Sequence, residues 1–211
     1  MTASVYIFDC DGVLYPQSEL SLKQIIAAMK KVYRDDVGLS GEQQKAISDK
    51  TIQKGHKGAF NFIREICETT GYDFPEYCRR MAAETDYSHI THNPELKKIL
   101  EELAGRKKIF ILSNNSRKHI DCVLQAVFHQ TAEQIEKKGV VICDIASTLK
   151  DGCFHPKQSP DGFGLFLEKA GVKGEDCRLF DDSEDNLKAA RRYGIEGYLI
   201  TPENNLEKTL K

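Results

Sequence analysis

The sequence predicts an α/β fold: a parallel sheet with helices on both faces, interrupted after its first strand by an all-helical insertion. Three observations predict it. From about residue 90 to the end, short apolar runs alternate with helical patterns, as in chains of strand–helix–strand crossovers. Residues 17 to about 89 carry helical spacing and no strand signal. One short apolar run, Val5 to Phe8, stands alone ahead of that helical stretch and ends in two acids, Asp9 and Asp11. The expected organisation is a core domain formed by residues 1–16 and 90–211 and a helical domain over 17–89.

Each element has its own signal. Val5 to Phe8 reads as a short buried strand. Ser21 with Gln24 resembles a capping box, followed at helical spacing by Ile25, Ile26, Met29, Val32 and Tyr33. Ser40 with Gln43 opens a second helix. The glycine-interrupted stretch KGHKGAF, residues 54–60, breaks it, and Phe62, Ile63 and Ile66 resume a helix up to Gly71. A further helix is expected around Pro75 to Glu84. Asn93-Pro94 is a cap with proline in the first turn, ahead of Leu96, Ile99, Leu100 and Leu103. Then come a strand over Ile109–Leu112, a helix marked by Ile120, Val123, Leu124 and Val127, and a strand over Val140–Cys143. Ser159-Pro160 caps a helix with the face Phe163, Phe166, Leu167 and Ala170. A strand core at Leu179-Phe180, a helix running to Gly194 and a strand over Gly197–Ile200 complete the pattern.

Composition narrows the function classes. A net charge of −2 gives no basic surface for nucleic acid. No segment approaches the length of a membrane-spanning helix, and the N-terminus does not read as a secretory signal. The seven cysteines are scattered, without a Cys-Xaa-Xaa-Cys pair. Zinc and disulfide frameworks are therefore poor readings, and reduced thiols in a cytoplasmic protein are the expectation. Cys10, between the two acids, reads as a small buried filler.

The chemistry lies where the polar residues fall. Ligands of open parallel sheets bind beyond the carboxyl ends of the strands. The strands here end in Asp9 and Asp11, in Ser113, Asn114 and Asn115, and in Asp181 and Asp182. Taken alone, Asp-Xaa-Asp-Gly is a turn or the start of a calcium loop, but Val13, Leu14 and Tyr15 replace the later acids of such a loop. Ser113-Asn114-Asn115 could likewise be only a helix cap. Four carboxylates at one edge need a counter-charge, which a hard divalent cation such as Mg²⁺ supplies, with Lys157 as a second positive charge. These parts suit phosphoryl transfer: a carboxylate nucleophile, cations around the transferring group, a hydroxyl and an amide for its oxygens, and a neighbouring acid to move protons. His56 and Lys57, in the glycine-flanked loop, are weighed as exposed residues against substrate contacts. His119 reads as a packing or surface residue.

FDCDGVL, ILSNN, Lys157 and LFDDSEDN resemble, in order, the four motifs of the haloacid dehalogenase superfamily. Several stretches, including DYSHITHNPELKKILEEL and RKKIFILSNNSRKH, are similar to the pyrimidine 5′-nucleotidase type. The resemblance implies a Rossmann-like core with an inserted helical cap domain. It implies Asp9 as the phosphorylated nucleophile and Asp11 as general acid/base, with the Asp11 backbone carbonyl on the metal. It implies Ser113 and Asn114 as phosphate-binding residues, Lys157 as the third-motif lysine, Asp182 as a direct Mg²⁺ ligand and Asp181 as a supporting one. Gln158 departs from the proline common at that place. Asp11 argues for a phosphatase over a dehalogenase. The expected substrate is a small phosphorylated metabolite, with a pyrimidine nucleoside monophosphate first and a sugar phosphate or phosphoglycolate next. A phosphomutase and a catalytically idle, ligand-binding relative are the other readings. A monomer or homodimer is expected.

Overall fold

The structure is a computed structural model, and it describes residues 4–53, 59–151 and 153–210. The chain separates into two compact units, Met1–Glu19 with Tyr87–Lys211 and Leu20–Asp86.

The first unit begins with β1 (Val5–Phe8), a run of β-branched and aromatic residues that is almost wholly buried. Among its described residues the second unit forms four helices: α1 (Leu22–Asp35), α2 (Gly41–Gln53), α3 (Ala59–Thr70) and α4 (Phe74–Glu84). Its described residues form no strand. Ser21 and Gln24 make the reciprocal capping box at α1, and Asp73 caps α4 with Pro75 in the first turn. The apolar faces meet in a core of Met29, Val32, Ile47, Ile63, Ile66 and Tyr77. The Tyr77 hydroxyl, buried in that core, donates to the Met29 carbonyl at 2.9 Å.

The chain then returns to the first unit. In order come α5 (Pro94–Ala104), β2 (Lys108–Leu112), α6 (Arg117–Phe128), α7 (Ala132–Glu136), β3 (Val140–Cys143), β4 (Leu149–Lys150), β5 (Cys153–Phe154), α8 (Gly162–Ala170), β6 (Cys177–Asp181), α9 (Glu184–Arg191), β7 (Glu196–Leu199) and α10 (Leu206–Thr209). The five-stranded sheet has the order β3-β2-β1-β6-β7, and every neighbouring pair is parallel. β4 and β5 form a separate antiparallel hairpin. Val5, Ile7, Phe110, Leu112 and Leu179 point to the sheet face that packs against Phe163 and Phe166 of α8 and Leu187 and Ala190 of α9. On the other face Ile109 and Ile111 meet Leu100 of α5 and Phe128 of α6. Both faces are thus covered, and the strands read as continuous apolar runs for that reason.

Two details differ from the sequence reading. Ser159-Pro160 is read as the cap of α8, but the helix starts at Gly162 after Asp161, and Ser159 Oγ accepts from the Gly162 amide at 3.1 Å. The β4–β5 hairpin, α7 and α10 are too short to leave a periodic signal.

Candidate active site

β1 is the central strand, flanked by β2 and β6. Phe8 is in register with Ile111 on one side and Phe180 on the other. The three strands therefore end side by side, and their next residues share one edge of the sheet. Asp9 follows β1 and donates its backbone N–H to the Phe180 carbonyl at 2.9 Å, while the Ser113 amide bonds the Cys143 carbonyl at 2.9 Å. The ladder thus runs on into the site and holds its backbone.

Lys157 comes to this edge from the loop between β5 and α8. Its side chain is only 2% exposed, and Nζ lies 2.7 Å from Asp9 Oδ1 and 2.8 Å from Asp181 Oδ2. Burial alone would pull its pKa down, but the Asp9 and Asp181 carboxylates outweigh it and raise the ammonium well above its ordinary value. Lys157 is a fixed cation. The loop is pinned from β2, since Asn114 Oδ1 accepts from the Lys157 amide at 3.0 Å and Asn114 Nδ2 donates to Gln158 Oε1 at 3.2 Å. The Asn114 side chain thus ties the end of β2 to this loop. Gly162 makes the approach possible: a Cβ there would sit 2.3 Å from the Pro156 carbonyl oxygen and 3.1 Å from Lys157 Cα.

Asp181 is fully buried and saturated. Oδ1 accepts from the Ser183 amide and Asn186 Nδ2, each at 2.9 Å, and Oδ2 takes Lys157. Asp9 meets Lys157 and the Cys10 amide, at 2.7 Å each, through Oδ1. Burial pushes the Asp9 carboxyl well above its ordinary value, against the pull of Lys157, and the charges of Asp181 and Asp11 add to the rise. Asp182 is raised for the same reasons, burial first and then Asp181. It packs against Gly12, where φ is +74° and a Cβ would lie 2.2 Å from Asp182 Oδ2, so both the backbone and the space require glycine.

Oxygens of Asp9, Asp181 and Asp182 lie within 4.8 Å of one another. Three carboxylates around one ammonium leave negative charge in excess, and an all-oxygen donor set suits a hard cation. The residues present fit Mg²⁺. Asp182 and Asp9 have oxygens to give, whereas Asp181 serves by holding Lys157. Cys10, Asp11 and His119 form a neighbouring cluster with ligand atoms equally close. Burial raises the Cys10 thiol well above its ordinary value, so it supplies no thiolate.

The Asp11 carboxylate stands outside the oxygen cluster. Its Oδ1 accepts from the Tyr15 hydroxyl at 2.5 Å and faces His119 Nε2 at 2.8 Å, and its Oδ2 accepts from Asn115 Nδ2 at 2.8 Å. Burial would raise this carboxyl, but the His119 charge and the hydrogen bonds of His119, Tyr15 and Asn115 hold it well below the ordinary range. His119, read from sequence as packing or surface, is instead buried against Asp11 in the first turn of α6. No motif in the sequence pairs two residues 108 positions apart, so the contact was not legible there. Ser113 is buried at its strand end, with Oγ accepting from the Asn115 amide at 3.1 Å. His56 and Lys57 lie outside the described residues.

A cavity of about 550 Å³ opens beside Asp182, walled by Gly12 to Ser18, Asn93, the Ile200–Pro202 segment and α10. No helix among the described residues is long and apolar enough to cross a membrane.

The fold recurs among known proteins. A haloacid dehalogenase family enzyme of Bacteroides thetaiotaomicron, BT-2542, superposes with a TM-score of 0.60 at 21% identity, over 100% of both chains. CbbY from Rhodobacter sphaeroides, solved with phosphate, gives 0.59 at 18% identity, over 97% of this chain and 89% of its own. At these identities the likeness is one of fold. The sequence itself matches the family model of the haloacid dehalogenase-like hydrolases over residues 3–194, and so the chain belongs to that family of hydrolases.

Proposed function

We propose that the chain is a Mg²⁺-dependent phosphomonoester hydrolase that works through a phosphorylated Asp9. One observation carries the reading above the others: a buried Lys157 held between Asp9 and Asp181, at the edge where Asp182 adds a further carboxylate. A buried ammonium tied to two acids is costly to keep for structure alone, and it suits a site that receives the negative charge of a phosphoryl group. Family membership and the motif order support the same chemistry. BT-2542 has been solved in complex with magnesium and inorganic phosphate, and a CbbY mutant in complex with xylulose-(1,5)bisphosphate.

In this reading Asp9, Asp182 and the Asp11 backbone carbonyl hold Mg²⁺, with Asp181 in support. The ion, when bound, neutralises charge on the phosphoryl oxygens and orients the phosphate for in-line attack. Lys157 neutralises further charge and aims Asp9, and its pull opposes the rise that burial gives that carboxyl. Ser113 Oγ and the Asn114 amide hold phosphoryl oxygens. An Asp9 carboxylate oxygen bonds to phosphorus as the ester P–O bond breaks, and the leaving oxygen takes a proton from the Asp11 carboxyl. The resulting Asp11 carboxylate then takes a proton from water as the water oxygen bonds to phosphorus. Inorganic phosphate leaves and Asp9 is restored.

A core of residues 1–16 and 90–211 with a helical cap over 17–89 belongs to the same proposal, and the cap is where substrate choice would lie. Within the substrate class we put a pyrimidine nucleoside monophosphate first, on the similarity of stretches such as DYSHITHNPELKKILEEL and RKKIFILSNNSRKH. The test is hydrolysis of p-nitrophenyl phosphate with Mg²⁺ and with a chelator, followed by UMP, CMP, phosphoglycolate and sugar phosphates. The reading expects Mg²⁺-restored turnover and a preference for UMP or CMP. Preference for a sugar phosphate would move the substrate and keep the chemistry. Turnover that ignores the chelator, or no turnover, would overturn it.

A further inference from the structure

We infer that the cavity beside Asp182 receives the leaving group of the substrate and selects it by charge, taking a neutral hydroxyl-bearing or a cationic group and rejecting a second carboxylate or phosphate. This rests on the phosphatase reading above and narrows its substrate class. The cavity encloses about 550 Å³, and every residue that walls it belongs to the first unit. That volume falls within the roughly 300–1,000 Å³ of sites for small organic ligands. Asp182 stands on its wall and also belongs to the oxygen cluster with Asp9 and Asp181. A group esterified to a phosphate held at that cluster therefore has room to extend into the cavity.

The lining decides the chemistry. Val13, Leu14, Leu96, Ile200 and Leu206 give an apolar wall, which suits the body of a ring or a carbon chain. Among the described residues that wall it, Asp182 and Glu207 alone are charged, and both are acids. In the phosphatase reading the charge of Asp182 is answered by the metal. That of Glu207 is not. Glu207 Oε1 accepts from Asn93 Nδ2, a neutral donor, and Oε2 has no partner among the described residues. The neighbouring Lys208 is directed to the Glu203 carbonyl, at 2.9 Å. Asn93 is itself fixed, since its Oδ1 caps α5 by accepting from the Leu96 amide at 2.9 Å. The Glu207 carboxylate is thus held at the wall with one oxygen to give. It accepts from a hydroxyl or an ammonium, and it repels an anion that the wall has no cation to pair. Of the candidate substrates this keeps a nucleoside or sugar monophosphate and drops phosphoglycolate.

A purely structural role for the same residues is a tie between α10 and the start of α5. Such a tie needs no charge, and a glutamine serves it as well, so selectivity by charge separates the two roles. Three aryl esters share a body and differ in the charge of the para substituent: 4-(aminomethyl)phenyl, 4-(hydroxymethyl)phenyl and 4-carboxyphenyl phosphate. kcat/KM is measured on each with saturating Mg²⁺, for wild type, Glu207→Gln and Glu207→Lys. In wild type we expect the cationic and neutral esters to exceed the carboxylate ester on the order of tenfold. Glu207→Gln brings the three within about threefold of one another, and Glu207→Lys reverses the order. Wild type alone decides the matter should the variants not fold. A carboxylate ester hydrolysed as well as the neutral one overturns the inference and leaves the phosphatase reading standing, and so does a preference that Glu207→Gln leaves unmoved. A wild-type enzyme that hydrolyses none of the three with Mg²⁺ overturns the phosphatase reading, and this inference falls with it.

Discussion

Asp182 carries a carboxyl raised above its ordinary value of 3.8 by burial and by the neighbouring Asp181. The sign of its effect on stability follows. An acid whose folded-state pKa is raised contributes stability that is fully present below its unfolded value and is lost as pH rises through the folded value. The metal-free protein should therefore lose stability as pH climbs from about 3.8 through the raised value of Asp182. Asp11 works in the opposite sense, since its carboxyl is held low and its contribution is lost as pH falls. Asp182→Asn should raise the metal-free Tm at neutral pH and flatten its decline, with the gap to wild type closing towards pH 4. A metal-free Tm curve unchanged by Asp182→Asn would show that this carboxylate is not strained by its surroundings. Asp182 was legible in the sequence because an acid pair at a strand end has a chemical meaning without any neighbour being known. His119 was not, because its meaning comes only from what it faces.

Elements, more than single residues, bring Lys157 to its place. The loop ahead of α8 is pinned by Asn114 from the end of β2 and lies directly over Gly162. Gly162→Ala would put a methyl group 2.3 Å from the Pro156 carbonyl oxygen, so backbone must shift and carry Lys157 with it. Overpacking of this kind costs about 1–3 kcal/mol, and a chain of this size loses roughly 2–4 °C of Tm per kcal/mol. Displacing a positioned group by about 1 Å can cost on the order of a hundredfold in rate. Gly162→Ala should thus lower kcat at least tenfold on that scale while the protein still melts cooperatively; an unchanged kcat would show that the loop position is unimportant. Element types were read well where burial is two-sided or a face repeats, as in β1, β2, β3 and α5. The start of α8 was not, because Ser159 bonds Gly162 without being the helix cap. Strands of two residues such as β4 and β5 have no period to read.

At the scale of the molecule, a parallel sheet with β1 at its centre turns residues far apart in sequence into one charged edge. Its excess negative charge ties folding to Mg²⁺. An ion that binds the folded site and not the unfolded chain stabilises by about 2.7 kcal/mol at a hundred times its Kd, on the order of 5–10 °C for a chain of this length. Calorimetry with and without Mg²⁺ should show that rise, and Asp182→Ala should lose most of it; a Tm indifferent to Mg²⁺ would remove the ion from the account. The order of acids, hydroxyl and lysine along the chain was legible because each follows a strand or a loop with a clear pattern, whereas the strand order that joins them belongs to the folded chain. The proposed mechanism turns on a phosphoryl group carried by Asp9. It is tested most directly by quenching the Mg²⁺-loaded enzyme in acid during turnover of a ³²P-labelled ester and mapping the label. A hydroxylamine-sensitive phosphate is expected on the peptide containing Asp9 in wild type and none in Asp9→Asn, which should fold but not turn over. Label on another residue, or turnover that survives in Asp9→Asn, would contradict it.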